Sequence, residues 1–117
     1  MLEAGVDIIE IDRIEAALAR HGRRFLDRVY TELEQAQCGG RVESLAARFA
    51  AKEAAFKVLG TRFGWREVEV MRQPSGKPAL VFYGPAKEMA DKLGVKQSSV
   101  SLSHSRGNAV AVVVASD

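Results

Sequence analysis

Three side chains able to handle a metal or a proton stand where apolar ones are expected: Asp7, Glu53 and His104. Glu53 is the most informative. It lies in Val42–Leu59, a run without Pro or Gly and dominated by Ala, Leu, Lys, Glu and Arg, which predicts a helix. At about 100° per residue, Val42, Leu45, Ala46, Phe49 and Phe56 fall on one face, with Glu53 in its middle and Lys57 four residues on at its edge. A carboxylate in an apolar stripe is costly unless a metal ion, a paired cation or a shared proton compensates it. An i,i+4 ion pair of Glu53 with Lys57 is the bland alternative, worth roughly 0.2–0.5 kcal/mol. Taken alone it would be favoured, but it explains neither the apolar face nor a second acid similarly placed.

That second acid is Asp7. Residues 2–11 predict a strand, with Leu2, Ala4, Val6 and Ile8 on one face and Gly5, Asp7, Ile9 and Ile11 on the other. Both faces are largely apolar, so the strand is expected inside its sheet. An Asp at a strand end that caps neighbouring backbone accounts for Asp7 equally well on its own. His104 ends an alternation in which Ser99, Ser101 and Ser103 oppose Val100, Leu102 and His104. A lone histidine at a strand end is more often structural than catalytic. Together, two carboxylates flanked by a lysine, without cysteine ligands, suit a hard divalent ion, Mg²⁺ before Zn²⁺. Mg²⁺ takes one or two protein carboxylates and fills its octahedron with water and phosphate oxygens. A lysine beside it would neutralise charge as a phosphoryl group transfers. No Walker-type loop or G-x-G-x-x-G is present, and Ser103-His104-Ser105 lacks a nucleophile elbow. The residues themselves thus lead to Mg²⁺-dependent handling of a phosphate-containing ligand.

Periodicity and turn chemistry supply the elements that must hold these groups. Asp12 reads as the N-cap of a helix over residues 13–20, Gly22 interrupts it, and a second helical piece covers residues 23–30. Thr31-Glu32-Leu33-Glu34 matches a capping box opening a short helix that Cys38-Gly39-Gly40 ends. Gly60 stops the central helix, and residues 61–64 form a short loop. Residues 65–71 and 78–83 predict strands joined as a hairpin through Gln73-Pro74-Ser75-Gly76. Lys77, just after the turn, is placed to reach an anion, although most loop lysines are merely solvated. Pro85 opens a helix to Leu93, ended by Gly94. After the strand ending at His104 and the turn Ser105-Arg106-Gly107-Asn108, the apolar run of residues 109–115 predicts a central strand. Hairpins at Gly76 and Gly107 imply an antiparallel sheet, and the whole reads as α+β with the long helix packed on that sheet.

Between residues 13 and 28 the chain holds Arg13, Arg20, His21, Arg23, Arg24 and Arg28, with Phe25 and Leu26 among them. Spacings of seven and four put Arg13, Arg20 and Arg24 on one side. Such a ridge suits an acidic helical partner; on the residues alone, an ordinary solvated face is the better account. The 117 residues correspond to one domain, residues 1–117, with room for one core. With 47% hydrophobic and 27% charged residues, the composition is that of an ordinary globular protein. One cysteine, Cys38, excludes an intrachain disulfide framework and fits a reducing, cytoplasmic compartment. Glu3 and Asp7 break any signal-like start, no apolar run approaches the roughly 20 residues of a membrane span, and a net charge of +2 does not indicate nucleic acid.

Four segments add a resemblance: Gly5-Val6-Asp7-Ile8-Ile9-Glu10, Arg48-Phe49-Ala50-Ala51-Lys52-Glu53-Ala54 with Lys57, Gly76-Lys77-Pro78, and Val100-Ser101-Leu102-Ser103-His104-Ser105. In this order, across essentially the whole chain, they resemble holo-[acyl-carrier-protein] synthase, the bacterial-type 4′-phosphopantetheinyl transferase. The first two segments together are highly specific; Gly-Lys-Pro alone is weak. The resemblance implies a 4′-phosphopantetheinyl transferase-like fold and transfer of the phosphopantetheine arm of coenzyme A to a serine of apo-acyl carrier protein, in support of fatty acid biosynthesis. It implies that Asp7 and Glu53 hold Mg²⁺ against the pyrophosphate, with Glu53 and Lys57 catalytic. Arg48, Lys57, Lys77, Pro78 and His104 would line the coenzyme A site, and Arg13, Arg24, Phe25 and Arg28 would face the acidic helix of the carrier. It further implies a homotrimer with sites between subunits. The base that takes the serine proton stays open among Glu53, a metal-bound water and a group on the carrier; a metal-bound carboxylate is a poor base, which favours water. The chain departs from the family in its short 60–65 connection and in lacking a glycine near its start. Two rivals use the same residues differently: a non-catalytic module that docks an acidic helix, with Glu53 and Lys57 as a structural pair, and a small Mg²⁺-dependent nucleotide hydrolase.

Overall fold

A computed structural model describes residues 1–117. Strand β1 (Leu2–Glu10) runs directly into helix α1 (Ile11–His21), followed by α2 (Arg23–Val29), α3 (Glu32–Cys38) and the long α4 (Val42–Leu59). A 3₁₀ turn (Trp65–Glu67) leads into the hairpin of β2 (Val68–Arg72) and β3 (Pro78–Phe82), then come α5 (Gly84–Leu93) and the hairpin of β4 (Gln97–Ser105) and β5 (Asn108–Ser116). The expected class holds: α+β, antiparallel strands, one long helix against them. The bounds of α4 are those the sequence predicts. Its end is set by Gly60, whose φ of 84° carries the chain out of the helix.

The strands form two sheets rather than one: β1-β5-β4 and β2-β3. β5 is central, as its apolar run predicts, but β1 is an edge strand, correcting the expectation that two apolar faces place it inside. Its inner face, Gly5, Asp7 and Ile9, lies on α4; its outer face leaves Leu2, Val6 and Ile8 exposed beside Val112 of β5. The apolar outer side thus reflects an uncovered sheet face, not an internal strand.

Helix α4 likewise corrects the single-stripe reading. It is buried on almost every side, from Leu45 to Leu59, and Ala46, Ala50, Ala51, Ala54 and Ala55 let the sheet and the other helices approach it closely. Val42, Phe49, Glu53 and Lys57 mark its less covered edge. Asp12 is not the N-cap of α1: the helix begins two residues earlier than expected, at Ile11, with Glu10 at the cap position and no side-chain cap, and Asp12 falls in the first turn, where its charge suits the helix dipole. The Thr31 capping box forms as expected, with Glu34 returning to the Thr31 amide.

Candidate active site

The close approach of β1 to α4 begins at Gly5. A Cβ there would lie 2.2 Å from the Ala54 carbonyl oxygen, so only glycine lets the strand sit on the helix backbone. Two residues on, Asp7 is brought over the next turn of α4, and Lys57 Nζ lies 3.2 Å from Asp7 Oδ1 and 2.8 Å from the Val6 carbonyl. The Asp7 side chain keeps 21% of its exposure, whereas that of Lys57 keeps 55%, so the ammonium is anchored by two oxygens yet open to solvent.

Glu53 lies one turn before Lys57, and the i,i+4 pair required by the docking-module rival is not formed. Its partner is Arg62, whose Nη2 is 3.0 Å from both carboxylate oxygens. The side chain of Glu53 is 18% exposed, and it lies on α4 between Phe49 and Phe56, whose rings Trp65 meets at 4.6 Å and 5.5 Å. The acid therefore does sit among aromatic residues, and a paired cation is what compensates it. Glu53, Phe56, Lys57, Gly60, Thr61 and Arg62 line an open hollow of about 360 Å³.

A second and larger cleft, about 490 Å³, opens where the β2-β3 hairpin comes alongside β4. Arg48, Lys77 and Pro78, all expected to meet coenzyme A, line it together with Arg72 and Ser99–Leu102 of β4. Arg48 is almost fully buried, held through Nε to the Val70 carbonyl at 3.1 Å and through Nη2 to Gln37 at 3.2 Å. Three cations around one cleft have the charge that suits an anion, and Arg is the side chain whose planar donors match phosphate oxygens.

His104 joins neither cleft. It shares a strand face with Val100 and Leu102 by register, but it is exposed at the end of β4 and lines a groove with Ile8, Arg106 and Asn108. Within one chain the predicted nucleotide residues therefore fall into three places, Lys57 by Glu53, Arg48 with Lys77 and Pro78, and His104. On the helical side, Arg24, Phe25 and Arg28 line one hollow of about 170 Å³ with His21, while Arg13 stands exposed on α1 outside it. Phe25, partly buried, also packs against the core: its ring is edge-on to Tyr30 at 5.9 Å and stacked on Phe49 at 6.5 Å.

Several residues that shape the site escaped the sequence pattern. Lys52, fully buried beside Glu53, donates to Glu34 Oε1 at 2.8 Å and to the carbonyls of Trp65 at 2.8 Å and Val68 at 2.6 Å. Glu34, also fully buried, further accepts from the Thr31 and Val70 amides. Burial presses the Lys52 pKa below its usual value, and the charge and hydrogen bond of Glu34 oppose that shift. Thr31 and Tyr83 both donate to Glu69, extending the network to α5. The signal for Glu34 was present in the capping box; nothing in the spacing of Lys52 separates it from a solvated lysine. No spacing or motif in the sequence singles out Arg62 or Arg72.

The chain matches the 4′-phosphopantetheinyl transferase superfamily over residues 3–113. It is 52% identical to the holo-[acyl-carrier-protein] synthase of Dehalococcoides mccartyi, with 100% of each chain covered. It is 49% identical to that of Herpetosiphon aurantiacus, over 97% of this chain and 98% of the relative. Among solved structures, the Helicobacter pylori holo-[acyl-carrier-protein] synthase in complex with coenzyme A superposes with a TM-score of 0.89 at 32% identity, covering 97% of this chain and 100% of that one.

Proposed function

The chain belongs to the 4′-phosphopantetheinyl transferase superfamily, as an enzyme of the holo-[acyl-carrier-protein] synthase type, and from that premise we propose a Mg²⁺-dependent transfer of phosphopantetheine from coenzyme A to an apo-acyl carrier protein in the cytoplasm, serving fatty acid biosynthesis. The serine oxygen bonds to the phosphorus that carries pantetheine, the bond to the bridging oxygen breaks, and adenosine 3′,5′-bisphosphate leaves with the electron pair. The serine proton passes to a base in the site. The observation that carries this assignment is the pair of sheltered carboxylates on adjoining elements, Asp7 and Glu53, with Lys57 one turn beyond Glu53 and bonded to Asp7.

These two acids fit Mg²⁺. They offer oxygen donors only, the donor set that a hard divalent ion takes, and Mg²⁺ needs no more than one or two protein carboxylates. When bound, Mg²⁺ would stabilise the charge that grows on the pyrophosphate oxygens. Lys57, anchored by Asp7 and the Val6 carbonyl, has a donor left for the same phosphates. Arg48, Lys77 and Pro78, joined by Arg72, form the second phosphate-binding cleft. His104 lines the groove at the end of β4, where a nucleotide reaching across from a neighbouring subunit would meet it.

The trimer rests on the outer sheet face. Leu2, Val6, Ile8 and Val112 are exposed as one apolar surface, which water solvates poorly and a subunit contact would cover. It also accounts for the separation of His104 from the other nucleotide residues within one chain. Arg13, Arg24, Phe25 and Arg28 present the basic surface for the acidic helix of the carrier. Asp7→Ala and Glu53→Ala should each lose Mg²⁺-dependent transfer while circular dichroism stays unchanged. Full activity in either variant would remove that residue from the metal pair.

A further inference from the structure

Both proposed metal ligands already carry a cation, but the two cations are held differently. Lys57 is fixed to α4 and tied to the backbone of β1. Arg62 sits on the loop after Gly60, its side chain 65% exposed, and spends one nitrogen, Nη2, on both oxygens of Glu53. Its Nε and Nη1 make no hydrogen bond within the chain. Its guanidinium lies over the rings of Trp65, at 5.6 Å, and Phe56, at 6.0 Å, a shelf that keeps the charge in the hollow with Glu53 and Lys57.

A divalent ion on Glu53 needs a lone pair that Arg62 now engages, so ion and guanidinium compete for one carboxylate. Once displaced, the same planar group is suited to a phosphate. The connection 60–64 is too short to carry it far, and the aromatic shelf favours its staying. Building on the function proposed above, we propose that Arg62 is a phosphate-binding residue that neutralises Glu53 in the metal-free site, yields it to a divalent ion and transfers its guanidinium to a phosphate of coenzyme A.

Removing Arg62 should then move two affinities in opposite directions. The test measures Mn²⁺ binding by electron paramagnetic resonance without nucleotide, and coenzyme A binding by calorimetry with Mn²⁺ saturating, on the full chain. Arg62→Ala should bind Mn²⁺ about fivefold tighter, the factor that loss of an ion pair of about 1 kcal/mol corresponds to. It should bind coenzyme A at least about tenfold more weakly, as expected for one charged hydrogen-bond donor lost. Arg62→Gln, which keeps the length and part of the donor capacity, should change both in the same senses by less, and it carries the test where the alanine variant loses its circular dichroism. A loop staple alone would weaken both ligands together. Unchanged or weaker Mn²⁺ binding overturns the competition, and unchanged coenzyme A binding overturns the phosphate contact. Wild-type protein that binds neither Mn²⁺ nor coenzyme A would instead refute the proposed site itself, and this role of Arg62 with it.

Discussion

Replacing Lys52 with Met keeps the length of a fully buried side chain and removes its charge. The ammonium serves three acceptors, Glu34 Oε1, the Trp65 carbonyl and the Val68 carbonyl, at 2.6–2.8 Å. Glu34 would keep its bonds from the Thr31 and Val70 amides but lose its counter-charge in a site with no exposure. Breaking a buried pair from one side costs roughly 3–5 kcal/mol. A domain of this size has about 5–15 kcal/mol in total. With an unfolding entropy near 2.1 cal/mol/K per residue, the melting temperature should fall by about 12–20 °C. Thermal unfolding followed by the fluorescence of Trp65 measures the shift and urea unfolding the free energy, and the native emission should also shift, because Lys52 holds the Trp65 carbonyl. Pairing the change with Glu34→Gln should recover part of the loss, since the two groups act on one contact. A loss below about 1 kcal/mol, with native emission unchanged, would refute the claim that this ion pair ties the turn over Glu53 to α4.

Gly5→Ala places a Cβ against the Ala54 carbonyl at 2.2 Å; the strand must shift, and about 1–3 kcal/mol of stability should go with it, along with transfer activity as Asp7 leaves Lys57, measured by urea unfolding and by rate. Burial, aided by negative charge on Cys38 and Glu34, raises the Tyr30 pKa above its usual 10. The folded protein then holds a proton that the unfolded chain loses, so stability present below pH 10 falls as pH rises further, by up to about 1.4 kcal/mol per pH unit. Tyr30→Phe should flatten that alkaline slope, and at neutral pH it should lose about 1 kcal/mol with the 2.7 Å bond to the Leu45 carbonyl. Arg24→Glu should raise the carrier-protein KM by about ten- to a hundredfold and leave coenzyme A binding nearly intact; equal loss of both would exclude Arg24 from the docking surface.

The helices and the central β5 were legible because their signals are local. Capping at Thr31, Gly60 after α4 and the apolar run of β5 each need only neighbouring residues. The edge position of β1 was not legible, because apolar alternation describes the two faces of a strand and says nothing of whether both of its edges are hydrogen-bonded. The site divided in the same way. Asp7, Glu53 and Lys57 stood out as charges on apolar elements, and Lys57 does bond to Asp7. The true partner of Glu53, Arg62, did not stand out, because that contact depends on how the short loop folds back beneath Trp65. Lys52 stayed hidden for a related reason: α4 is covered on nearly all sides, so helical periodicity cannot mark which lysine is buried.

The intact mass of an apo-acyl carrier protein incubated with this protein, coenzyme A and Mg²⁺ decides whether the chain transfers phosphopantetheine. The carrier should gain the mass of one phosphopantetheine arm, and chelation of the metal should abolish the gain. A carrier that stays unmodified across several acceptors, with no binding of coenzyme A by calorimetry, would contradict the transferase.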